Sequence, residues 1–171
     1  MKLNGVPSHI YLRSSANDIK LTDSGQPDEN GKTLRRFSMT AYTGGAMQLG
    51  YWPHPVVVDL VGLQLSRKPR PILKDHNPSN IVGHTDTVIA DGGQLSVAGI
   101  VSGVGPAAIE VVGASDNGFP WQASIGASVR KVVFIPDGKS ARANGREFNG
   151  PVYIIRSSKL GEVSFVALGA D

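Results

Sequence analysis

Apolar and polar positions alternate with period two along much of this chain, which predicts strands; helical periodicity is scarce. The clearest case is residues 119–129. Trp121, Ala123, Ile125, Ala127 and Val129 fall on one face, and Gln122, Ser124, Gly126, Ser128 and Arg130 on the other. The first face is what a packed core needs. The second is small, open and hydroxyl-bearing, and Gly126 beside Ser124 lets another backbone come close.

The same pattern predicts strands over residues 8–12, 36–42, 55–63, 71–76, 81–84, 87–89, 94–101, 131–136, 152–155 and 162–168, with 55–63 central to the sheet. Asp91-Gly92-Gly93 reads as a hairpin turn. Asn77-Pro78 reads as a second turn, following a strand that ends at Asp75-His76. Pro106 and Asn117-Gly118 bracket the one convincing helix, over 106–114. Residues 1–33 are polar and turn-rich and are expected to form a partly flexible arm, leaving 34–171 as the folded domain. Residues 137–146 form a basic, turn-rich loop.

Composition sharpens this picture. Gly 21 and Pro 11 in 171 residues suit many short strands joined by turns, in a mostly β (α+β) domain. Cysteine is absent, which removes disulfides, thiolate metal sites and a cysteine nucleophile together. A net charge of +3, with no basic run interleaved with aromatics, does not point to nucleic acid. No apolar run reaches the ~18 residues of a membrane span, and Met1-Lys2-Leu3-Asn4 does not open a signal peptide. A cytoplasmic protein is expected.

The candidate chemistry is hydrolytic. A serine nucleophile needs a base and a third group that supports the imidazolium. His9 reads as a surface residue, and His54, between two prolines, as part of a turn. His76 and His84 lie in ordered segments before Ser124, and no histidine follows it. As metal ligands those two lack helical spacing and a cysteine to complete a site, so neither metal nor cofactor is expected. The acids after Ser124 are Asp137, Glu147, Glu162 and Asp171. Glu162 stands out because it opens an otherwise apolar strand, where an unpaired carboxylate is costly; an exposed charge at a strand entrance is the alternative. Gln122 breaks the G-x-S-x-G elbow, which argues against an α/β-hydrolase.

Three blocks carry a family resemblance: residues 73–83 around His76-Asn77-Pro78, then Ala123-Ser124-Ile125-Gly126, then residues 160–166 around Glu162-Val163-Ser164. In this order and spacing, over roughly residues 35–171, the chain resembles the bacteriophage prohead (capsid maturation) proteases, related to the herpesvirus assemblins. The resemblance implies a closed or partly closed antiparallel β-barrel with one or two flanking helices. It implies a serine endopeptidase that cleaves scaffold and major capsid proteins, and itself, inside the assembling procapsid in the host cytoplasm. Carried over, Ser124 is the nucleophile, His76 the general base and Glu162 the acidic partner, where assemblins use a second histidine. Arg156, Ser157 and Ser158, expected in a turn before the last strand, and Gly126 are candidates for oxyanion or substrate contacts. The analogy extends to self-association. The competing reading is a non-catalytic phage structural or scaffold module in which Ser124 is only a surface hydroxyl; a metal-dependent hydrolase through His76 and His84 ranks below both.

Overall fold

The computed structural model describes residues 7–13, 19–27, 29, 31, 33–91 and 93–167, so Gly92 of the expected turn, Leu168 and Asp171 lie outside the described residues. Twelve strands and one α-helix follow in order. They are β1 (His9–Arg13), β2 (Lys20–Pro27), β3 (Thr33–Tyr42), β4 (Val56–Val58), β5 (Leu63–Gln64), β6 (Pro71–Lys74), β7 (Asn77–Asp91), β8 (Gln94–Val101), α1 (Pro106–Asp116), β9 (Gln122–Ile135), β10 (Ser140–Ala143), β11 (Arg146–Asn149) and β12 (Val152–Val166). The described residues form the expected mostly-β fold and, among them, the one expected α-helix. Pro106 opens α1, and Gly118, at φ 79°, follows it.

Ten strands make one sheet in the order β1-β9-β12-β6-β7-β8-β3-β2, with β4 and β5 added along β12. The expected antiparallel barrel needs two corrections. Pairings of β12 with β4, β5 and β6 are parallel, so the sheet is mixed. The terminal strands β1 and β2 do not pair with each other, so among the described residues the sheet does not close into a barrel. It curls instead. Phe37 of β3 meets Phe165 of β12 edge-on at 5.9 Å, and Trp121 packs on the same ring, so opposite limbs share one core.

Several sequence expectations change in the fold; the runs expected as separate strands at 81–84 and 87–89 merge in β7, and most of 119–129 and 131–136 in β9. The run 55–63 is not one strand: Asp59 accepts a bond from the Val61 amide and caps a 3₁₀ turn, Leu60–Gly62, that splits β4 from β5. The expected strand 152–155 and the expected strand that opens at Glu162 join into β12, which ends at Val166, so Arg156, Ser157 and Ser158 lie inside a strand, not in a turn. The basic loop 137–146 contains half of a small hairpin, β10–β11. The polar N-terminal stretch also contributes β1, on β9, and β2, on β3.

Candidate active site

His76 stands in the two-residue connection between β6 and β7. Lys74 pairs with Asn77, leaving Asp75 and His76 as the turn, at φ 55° and 56°. Positive φ at both central residues is what a type I′ hairpin turn requires. Glycine or asparagine adopts it most easily; a histidine there carries about 1 kcal/mol of strain. The reversal is complete by Asn77, so the expected Asn77-Pro78 turn is instead the start of β7. The turn is clamped to β12: the Asp75 amide donates to Phe165 O at 3.0 Å and the His76 amide to Ser164 Oγ at 3.2 Å.

Ser124 lies on β9 with β1 on one edge and β12 on the other, opposite Arg13 and Ser164 respectively. The strand face expected to be open is covered there, and Ser124 is 0% exposed. Glu162 reaches this face through a bulge. Leu160 pairs with Ala127 and Glu162 with Gly126, so Gly161 is an extra residue on β12. Were Gly161 to take a regular place in the ladder, Glu162 would share the core face of Leu160.

These elements bring the three side chains into a chain of hydrogen bonds. His76 Nδ1 is 2.7 Å from Glu162 Oε1, and His76 Nε2 is 2.7 Å from Ser124 Oγ. A carboxylate only accepts, so Nδ1 carries the hydrogen in its bond to Glu162, and Nε2 is within acceptor reach of the hydroxyl. His76 and Glu162 are largely buried. Such a relay can take the proton from an attacking hydroxyl while the carboxylate orients and supports the imidazolium. The Ser124 hydroxyl has a second acceptor, Leu12 O of β1, at 3.0 Å. It has one proton for two acceptors.

Neither the protein-family models nor the curated proteins contain a match to this sequence. Solved structures do match. One, the bacteriophage T4 capsid assembly protease gp21, aligns with a TM-score of 0.53 and 10% identity, covering 93% of this chain and 97% of that one. The likeness is one of fold.

Around the relay, Ser164 is a residue that sequence reasoning did not single out. Its hydroxyl donates to Glu162 Oε2 at 2.6 Å and accepts the His76 amide, tying acid and base together. The available signal was its spacing, two residues from Glu162 and so on the same strand face. Tyr11 of β1 was also missed; its ring lies 4.2 Å from the His76 ring, centroid to centroid. Gly126, a candidate oxyanion or substrate contact, sits directly under the carboxylate, and a Cβ there would overlap Glu162 Oε1.

Arg156 and Ser157 are not brought to this group. Arg156 Nη1 bonds Asp59 Oδ2 and Arg142 O, each at 2.8 Å. Ser157 pairs with Lys131, far along β9 from Ser124, a separation of about 20 Å at the usual rise of a strand. Ser158 is fully buried beside Ser157. His84 Nδ1 pairs with Ser102 Oγ at 2.8 Å, and among the described residues no three His, Asp or Glu side chains converge as metal ligands. His54 packs against Phe134 and Tyr153, a structural placement.

Proposed function

We propose that this chain is a serine endopeptidase of phage capsid maturation, with Ser124 as nucleophile, His76 as general base and then general acid, and Glu162 as the carboxylate behind it. The observation that carries the reading is the unbroken run of short contacts from Glu162 through His76 to Ser124, between groups far apart in sequence. The fold shared with the T4 capsid assembly protease supports the substrate class, namely capsid and scaffold segments inside the procapsid. In the reaction the Oγ–H proton passes to Nε2 as the Oγ–C bond forms. The Nε2 proton then goes to the leaving amine as the C–N bond breaks. Water, deprotonated by the same nitrogen, releases the acyl group.

A second reading is favoured by a specific observation. Ser124 is fully covered and is bonded to Leu12 O, as a hydroxyl used only in packing would be. That reading makes the chain a non-catalytic capsid or scaffold module.

One experiment separates the two: incubate the chain with capsid and scaffold protein, follow fragments by mass spectrometry, and repeat with Ser124→Ala, His76→Ala and Glu162→Gln. Losses of about 10⁶-fold for the first two and about 10⁴-fold for the third are expected, without loss of fold by circular dichroism. Cleavage by folded Ser124→Ala at the parent rate rejects the nucleophile.

A further inference from the structure

β9 has two edges at Ser124. β12 fills one, and β1, the last strand in the sheet order, fills the other. A peptide that reaches Ser124 as an added strand has only the edge of β9 that β1 now takes. The fit of β1 resembles a bound peptide. Ile10 and Leu12 lie opposite Ala127 and Ile125 and are fully buried, while Tyr11 lies opposite Gly126 and covers the His76 ring. Yet the pose is unproductive for acyl transfer. The Ser124 hydroxyl donates to the Leu12 carbonyl oxygen, so that oxygen faces the nucleophile rather than a site that would stabilise an oxyanion.

The geometry points to β1 as a removable occupant of the substrate edge, an inhibitory strand in cis that must leave before a substrate strand pairs with β9. This inference rests on the nucleophile reading above. It also assigns the substrate class: an extended segment, antiparallel to β9, with apolar side chains two residues apart to refill the positions of Ile10 and Leu12. Refilling offsets the loss of two buried side chains, which otherwise opposes release. Substrate entry is therefore an exchange of strands, not a simple opening.

The test is a reversible lock. His9 and Ser128 are register partners. The neighbouring Val129 amide bonds Ser8 O at 2.8 Å, which leaves the His9–Ser128 pair non-hydrogen-bonded, with Cα atoms ~4.5 Å apart and within disulfide reach. The chain has no other cysteine. In the full-length His9→Cys/Ser128→Cys protein, labelling of Ser124 by a fluorophosphonate is expected to be at least tenfold slower oxidised than reduced. Hydrogen exchange at the Val129 amide should slow in parallel. In the reduced protein, a synthetic peptide of residues 8–13 should slow labelling, and its I10D/L12D version should not. Equal labelling of the oxidised and reduced forms overturns the strand inference and leaves the nucleophile standing. Exchange that responds to the lock while Ser124 never labels rejects the nucleophile and keeps the moving strand.

Discussion

At the scale of single residues, the relay depends as much on what is missing as on what is present. Gly126 faces Glu162 across the β9–β12 ladder, and its lack of a Cβ is what lets the carboxylate lie against the strand toward His76. An added methyl would overlap the carboxylate, the far end of a flexible side chain, rather than backbone. Gly126→Ala is therefore expected to fold with stability within about 1 kcal/mol of the parent, while the carboxylate moves off Nδ1. Peptide cleavage should fall toward the level of Glu162→Gln, and combining the two changes should add little further loss. Thermal melts and cleavage rates for the two single variants and the double variant check this; full additivity would mean that Gly126 acts on something other than Glu162. Ser164 complements Gly126: one makes room for the carboxylate and the other holds its second oxygen.

At the scale of elements, β12 does the positioning, and it does so by departing from regular alternation. Its residues Leu160, Val163 and Phe165 are all buried in the core, a sequence of faces that strict period two cannot produce. Because Gly161 bulges out of the ladder instead of taking a place in the alternation, Glu162 and Ser164 emerge beside His76. Deleting Gly161 would leave Leu160, Glu162 and Val163 in plain alternation opposite Ala127, Gly126 and Ile125, so each side chain should keep its face and unfolding should stay cooperative. Gly161→Ala meets only Gly126 O, at 3.2 Å, and should cost about 1 kcal/mol with activity retained. Denaturant titrations of both variants check this; loss of cooperative unfolding on deletion would mean that Gly161 is more than a surplus residue in the ladder. The same element shows what was legible in the sequence. Glu162 stood out because a carboxylate in an apolar strand needs a partner, and Ser124 because its strand alternates cleanly. The bulge was not legible, since Gly161 adds no apolar or polar mark to the pattern. Nor was the His76 turn: positive φ at Asp75 and His76 is imposed by the clamp to β12, against local preference, and Asn77-Pro78 carried the stronger turn signal. Arg156 and Ser157 were misplaced because two strand signals separated by polar residues look like two strands, when a bulged strand runs through both.

Across the described part of the molecule, β1 and β2 do not pair with each other, so the curl of the sheet is held there by contacts between limbs rather than by a closed ladder. Tyr42 is one such tie. It ends β3, is fully buried, donates its hydroxyl to Gly45 O and accepts the Val58 amide of β4 at 3.1 Å. Desolvation by burial pushes its phenol up to about 12, against the smaller opposing pulls of the Val58 amide and Arg146, with Asp59 adding to the rise. In the unfolded chain the group ionises near its ordinary value of about 10. The folded state thus holds the proton more tightly, and this contribution is fully present below pH 10. It is lost as pH rises through 12, by on the order of 3 kcal/mol in all. Urea titrations at a series of alkaline pH values should show stability falling across that window. Tyr42→Phe should be less stable at pH 8, because the Val58 amide is left unbonded in the core. Its stability should fall less steeply above pH 10. Other tyrosines and lysines titrate in the same range in both proteins, so the difference between the two curves isolates Tyr42. Parallel curves would mean that the tie opens to water before it ionises, and that the limbs of the sheet are held together elsewhere.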